Sequence, residues 1–225
     1  MSKRPELLIF DVNETLLDME PIRKAINETL KSVSAFDLWF SKLLQLSFAE
    51  SLTGEYRDFS KIGKASLGMI AHKLSVEVSE EKIKEILSNS TKLPPHPEVS
   101  AALEELKAAG FKMVALTNGG LETAEKQLKF AGIRNIFEDV YSVESVEKFK
   151  PHPETYNYVL KQQKVNPEKS MLIAAHDWDI LGAQRAGLQT GFISRPGKFL
   201  YPFGKKPEAK GKTLSEIADY LASKS

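Results

Sequence analysis

The residue whose setting most directly suggests chemistry is Asp11, which closes the run Leu7-Leu8-Ile9-Phe10 and opens the polar turn Val12-Asn13-Glu14-Thr15. A short apolar run bounded by turn chemistry predicts a central strand buried on both faces. A carboxylate at its C-terminal end stands where open α/β sheets place their chemistry, although Asp also opens turns for structural reasons alone. Three more polar groups follow later in the chain: Thr117-Asn118, Lys150-Pro151, and His176-Asp177-Trp178-Asp179. Each alone is ordinary, since a Lys is usually solvated and a lone His usually caps a helix or completes a core. Delivered to one sheet edge, they would give a carboxylate nucleophile, a cation to keep it ionised, and hydrogen-bonding groups around it.

The elements needed to position them are legible in the pattern. Leu30, Val33, Phe36, Phe40, Leu43 and Leu44 recur at helical spacing, and helical patterns continue at Lys61–Leu74 and Ser79–Leu87. Ser79 is an expected N-cap with Glu80 and Glu81 in the first turn. A helical insertion of residues 17–94 is expected to end at Leu93-Pro94-Pro95-His96-Pro97, where prolines remove donors and interrupt the helix. Residues 1–16 and 95–225 would form the core. From Glu98 onward helices alternate with strands at Phe111–Leu116, Asp139–Ser142, Met171–Ala175 and Thr190–Ile193, which predicts an α/β protein with a doubly wound parallel sheet. Gly197–Lys212 reads as a surface loop whose lysines at 198, 205, 206, 210 and 212 are solvated, before a last helix over Ser215–Leu221.

Composition excludes several classes. The 225 residues are 42% hydrophobic, enough for one domain with a sizeable insertion. Thirty-one Lys and Arg against 30 Asp and Glu leave a net charge of +1, so no bulk field recruits nucleic acid or an anionic membrane. With no cysteine there is no thiolate metal site, disulfide or thiol nucleophile. The first apolar run is too short for a signal sequence and no run reaches membrane-spanning length, so a cytoplasmic protein is expected. His72, His96 and His152 lack ligand spacing, and no metal or other cofactor is expected.

The ordered motifs resemble the haloacid dehalogenase superfamily along nearly the whole chain, and within it the type II 2-haloacid dehalogenases. The likeness rests on Asp11 to Thr15, Leu116-Thr117-Asn118-Gly119, Lys150-Pro151 with Tyr156, Trp178-Asp179-Ile180-Leu181-Gly182-Ala183, and Leu52-Thr53-Gly54-Glu55-Tyr56-Arg57-Asp58-Phe59. It implies a Rossmann-like core with a helical cap inserted after the first strand. It also implies displacement of halide from a short 2-haloalkanoic acid by Asp11, followed by hydrolysis of the aspartyl ester to a 2-hydroxy acid. Lys150 would keep Asp11 ionised, and Asp179 would partner Lys150. Thr15, Thr117 and Asn118 would hydrogen-bond Asp11 or the substrate carboxylate, while Leu44, Phe59 and Trp178 would wall the carbon chain. Asn13, Phe40 and Tyr156 complete the expected substrate contacts. The resemblance also implies a homodimer, which apolar positions such as Leu46 and Phe48, expected to be exposed on the cap, would favour without fixing the surface.

Two residues depart from the pattern. Phe40 stands where the family carries a substrate-binding arginine, with Lys42 and Arg57 the cations that would take its place. Glu14 and His176 replace a small residue and an Asn; Glu14 is expected to accept the His176 ring N–H, leaving the other nitrogen to deprotonate the hydrolytic water. A Mg²⁺-dependent phosphatase is the first alternative, opposed by Asn13 at the acid–base position and Ala175 at the metal position. A non-catalytic binding member is the second, suggested by Phe40.

Overall fold

The computed structural model describes residues 4–223. Its centre is β1 (Leu7–Phe10), with every residue fully buried. Leu7 and Ile9 face one apolar layer, and Leu8 and Phe10 the other, as the two-residue period of a strand requires. The parallel strands β2 (Lys112–Thr117), β3 (Asp139–Ser142), β4 (Ser170–Ala174), β5 (Gln189–Ile193) and β6 (Ala209–Gly211) complete a six-stranded sheet in the order β3-β2-β1-β4-β5-β6. The chain winds outward in both directions from β1, so its C-terminal end is the switch point, where neighbouring connections diverge and leave a crevice. Phe10 pairs with Ala115 on one side and Ile173 on the other, which places Asp11, Thr117 and Ala175 around that crevice.

Helices α1 (Glu20–Thr29), α2 (Ala35–Thr53), α3 (Phe59–Lys73) and α4 (Glu80–Ser88) follow β1 and cover the crevice. Ser79 caps α4 by accepting from the Lys82 N–H at 3.2 Å. Both crossings between this layer and the sheet are tied to each other: Asp18 N–H donates to Pro94 O at 2.8 Å and His96 N–H to Leu16 O at 2.9 Å. The proline-rich segment therefore forms half of a short paired ribbon rather than a free linker.

The core carries α5 (Val99–Ala108), α6 (Leu121–Phe130), α7 (Pro153–Gln163), α8 (Asp177–Arg185) and α9 (Leu214–Ala222) on the two faces of the sheet. Among the described residues, no helix is long and apolar enough to cross a membrane.

Two expectations are corrected. Val33 is 90% exposed, because α1 stops at Thr29 and the Asn27 side chain bonds Val33 O and the Phe36 N–H, fixing a turn inside what reads as one helical run. Residues 209–211 pair with β5 as an edge strand within the expected loop, too short to show alternation. Phe48 is half-buried and packs edge-on to Trp178 with ring centroids 5.5 Å apart.

Gly182 marks where α8 passes the turn that carries Lys150. A Cβ there would lie 2.5 Å from Pro151 Cβ and 2.9 Å from its carbonyl oxygen. Gly182→Ala should destabilise the protein by about 1–3 kcal/mol; urea unfolding with an unchanged midpoint would show that the contact is not restrictive.

Candidate active site

Asp11 extends β1 by one residue and is anchored by its N–H to Ile173 O at 3.1 Å. Its two carboxylate oxygens differ. Oδ2 accepts from Thr15 Oγ1 at 2.6 Å and from His176 Nδ1 at 3.0 Å, whereas among the described residues Oδ1 accepts only from Lys150 Nζ, at 2.8 Å. Thr15 is itself oriented by the Ala175 N–H, which donates to its hydroxyl at 3.0 Å.

Lys150 is fully buried and spends all three ammonium protons, on Asp11, on Asp179 Oδ2 at 2.7 Å and on Leu116 O at 3.0 Å. The second Asp179 oxygen accepts from Tyr156 Oη at 2.6 Å. Asn118 holds the lysine turn through its side chain, with Oδ1 accepting from the Lys150 N–H at 2.8 Å. Burial opposes every charge here. For Asp11 the Lys150 ammonium and the His176 ring overcome it and hold the carboxyl well below the usual carboxylate range. Burial and the like charge of Asp11 push Asp179 upward, against Lys150. Burial and Asp179 raise Tyr156 well above an ordinary phenol, keeping it a hydrogen-bond donor.

His176 is sandwiched between Trp178, stacked at 4.9 Å, and Phe40 at 6.0 Å between ring centroids. Its Nε2 lies 2.9 Å from Glu14 Oε2. Carboxylates only accept, so a ring facing one at each nitrogen must carry both protons. Burial would favour the neutral ring, but hydrogen bonds to Asp11 and Glu14 raise its pKa to about 9. Glu14 falls to about 2, where His176 and Lys198 outweigh burial. The expected Glu14–His176 contact is thus present, but the other nitrogen faces Asp11 rather than open space for a water.

Glu14 adopts φ 59°, a left-handed conformation that costs a non-Gly residue of this kind roughly 1–3 kcal/mol. Neighbouring groups clamp it: the His96 ring lies 3.2 Å from Glu14 O, and Arg195 donates to Thr15 O at 2.8 Å. Lys198 Nζ donates to Glu14 Oε2 at 2.6 Å, so this lysine is a site residue and not part of a solvated run. Arg195 follows β5 by two residues, and the strand-end rule that picked out the other groups applies to it equally.

The remaining expected contacts separate. Thr117 Oγ1 accepts from the Gly119 N–H at 3.0 Å. Asn13 Oδ1 accepts from Gln127 Nε2 at 3.0 Å, and Asn13, Phe40 and Phe59 line a cavity of about 110 Å³ with Trp39, Leu43 and Gly119. Leu44 does not line it; the helical turn of about 100° per residue hands that place to Leu43 while Leu44 packs into the core. Tyr156 is fully buried with its hydroxyl on Asp179. Trp178 walls His176 rather than this cavity. Lys42 bonds Gln45 and Arg57 bonds Glu50, so neither cation turns toward the site.

A model of the haloacid dehalogenase-like hydrolases matches residues 5–187. The chain belongs to this family. An (S)-2-haloacid dehalogenase, H-109, of Pseudomonas putida is 26% identical over 218 residues, covering 96% of this chain and 97% of the relative. Haloacetate dehalogenase H-2 of Moraxella sp. (strain B) is 26% identical over 224 residues, 98% and 99% of the two chains. The fold matches that of the Xanthobacter autotrophicus L-2-haloacid dehalogenase with chloropropionic acid covalently bound, at a TM-score of 0.89 and 21% identity over 96% of this chain and 98% of that one.

Magnesium, used by phosphatases of the superfamily, does not suit this donor set. It needs a near-octahedral oxygen shell. Here Asp11 and Asp179 turn their oxygens to Lys150, His176, Thr15 and Tyr156, and Ala175 offers no side-chain oxygen. Among the described residues no three His, Asp or Glu converge to hold an ion.

The doubly protonated His176 has a direct consequence. Its folded pKa lies above the ordinary 6.5, so its charge-pair contribution to stability is complete below that pH and is lost as pH rises through about 9. Ring-proton NMR should show His176 titrating near pH 9, and Glu14→Gln should lower that value. A titration at or below 6.5 in the wild type would contradict the two-carboxylate arrangement.

Proposed function

We propose that this hydrolase is a metal-independent dehalogenase of short 2-haloalkanoic acids, acting through an ester on Asp11. The observation that carries the reading is the state of Asp11: an ionised carboxylate whose Oδ1 has one partner, Lys150, and so keeps a lone pair for attack. A nearby cavity of about 110 Å³, lined by Asn13 and Phe40 though not by Asp11 itself, is of a size for a small acid. The activities of the Pseudomonas and Moraxella relatives support the same substrate class.

In the first step Asp11 Oδ1 attacks C2 in line with the carbon–halogen bond; a C–O bond forms, the C–X bond breaks and halide leaves. Asp11 then has no negative charge. His176 loses one of the two carboxylates that hold its second proton, and its pKa falls. It releases the Nδ1 proton, and that nitrogen becomes the base for a water attacking Asp11 Cγ. Collapse of the tetrahedral adduct expels the 2-hydroxy acid and restores the carboxylate, while His176 holds the proton taken from water. The balance is one water consumed, with one halide and one proton released. Glu14 keeps the ring in register and favours its charged form, so it is a positioning residue for His176.

Asn13 cannot supply a proton to a leaving alkoxide, and its carbonyl is already engaged by Gln127, which weighs against phosphate transfer. We place the functional boundary of the helical cap at the paired ribbon formed by residues 16–18 and 94–96.

The test is chloride release from 2-chloropropanoate with and without chelator. Chelator should have no effect, and Asp11→Asn should reduce the rate by about 10³-fold or more. His176→Asn should slow ester hydrolysis by about 10²–10⁴-fold and accumulate a protein whose mass exceeds wild type by the acyl fragment. Turnover of His176→Asn at the wild-type rate, with no such adduct, would remove His176 from the mechanism.

A further inference from the structure

The reacting acid carries a carboxylate throughout catalysis, and a site that excludes water must meet that charge with a cation or strong donors. The other cations around Asp11 are held by acceptors of the protein itself. Lys150 has spent its three protons, and His176 bridges Asp11 and Glu14. Arg195 is committed to Thr15 O and Glu98. Arg23 lies over the Phe36 ring, with NH1 on Asp37 at 2.8 Å and Nε near Glu20.

Lys198 is different. It makes one bond, to Glu14 Oε2, and of its three ammonium protons two have no partner among the described residues. Its Nζ stands 5.8 Å from the centre of the Phe40 ring, the same ring that lines the small apolar cavity and flanks His176. On its other side it lines an open polar cleft of about 600 Å³ shared with Glu14, Arg23, His96 and Arg195. Its backbone is held in a turn, with its N–H donating to Arg195 O at 2.9 Å, and Arg195 ties that turn to the Asp11 loop.

We infer that Lys198, delivered by the loop after β5, is the substrate-carboxylate receptor of this site, docking the acid between its free N–H groups and the Phe40 face. This rests on the proposed dehalogenase reading and names the specificity-determining cation within it. Glu14 has two tasks in consequence: it accepts from His176 and it aims Lys198. The ammonium is a flexible point charge, so the site would tolerate variation in the acid's chain more readily than a planar guanidinium fork would.

The experiment is calorimetric titration of the Asp11→Asn protein with 2-chloropropanoate, and separately with lactate, which keeps the carboxylate but lacks halogen. Lys198→Met should weaken both by about ten- to a hundredfold, and Lys198→Arg should restore most of the loss. In the enzyme with Asp11 intact, Lys198→Met should raise KM more than it lowers kcat. Unchanged affinity for both acids would overturn the inference. Weaker binding of 2-chloropropanoate with unchanged lactate affinity would make Lys198 a seat for the halogen and overturn it too. A fall in kcat at constant KM would leave Lys198 only a positioning residue for Glu14, again overturning it. If the protein binds carboxylates through Lys198 but releases no halide, the dehalogenase reading fails and the receptor stands. Halide release with an unaltered KM in Lys198→Met does the reverse.

Discussion

A fully buried ammonium between two carboxylates is the constraint on which the rest of the site depends. Lys150 cannot lie at the switch point without Asp11, Asp179 and the Leu116 carbonyl, because an unpaired charge there is prohibitive. Removing one partner of such a group costs about 3–5 kcal/mol. The need to hold Asp179 accounts for Tyr156 on α7, and the need to seat the lysine turn against α8 accounts for Gly182. Two strand ends, two helices and a loop are thus locked by one residue's solvation requirement, and the same lock leaves Asp11 ionised with one lone pair uncommitted.

From Asp11 the charges alternate outward: carboxylate, imidazolium, the Glu14 carboxylate, then the Lys198 ammonium at the cleft. Such a row is internally compensated, so each member depends on its neighbour's charge. Neutralising Asp11 by esterification leaves His176 supported on one side only. The arrangement therefore links the first chemical step to the appearance of the base for the second, through electrostatics alone. Held with φ at 59°, Glu14 is the member whose backbone is strained, and His96 and Arg195 secure the backbone carbonyls beside it.

What the sequence made legible follows from how each signal arises. The apolar runs before Asp11, Thr117 and His176 are strands because they are buried on both faces, so composition alone marks them, and the parallel order follows from the intervening helices. Residues 209–211 escaped because three residues cannot display a period. Leu43 rather than Leu44 reaches the cavity because adjacent leucines stand about 100° apart on α2, and the residue type alone does not say which of the two faces it. Lys198 and Arg195 were hidden by their surroundings: a segment rich in Gly, Pro and Lys reads as solvated, and only the tertiary fold reveals that Arg195 bonds Thr15 O and carries the next residues to Glu14. The resemblance puts Tyr156 with the substrate, whereas α7 turns its hydroxyl to Asp179, a contact that depends on how α7 and α8 pack.

The central claim is that the oxygen delivered to the substrate comes from Asp11 and not directly from water. A single turnover with enzyme in excess over 2-chloropropanoate, run in ¹⁸O-enriched water and read by mass spectrometry, tests it most directly. The account predicts the heavy oxygen in the peptide containing Asp11 and unlabelled oxygen in the hydroxyl of the product. Label in that hydroxyl, with an unlabelled Asp11 peptide, would contradict it.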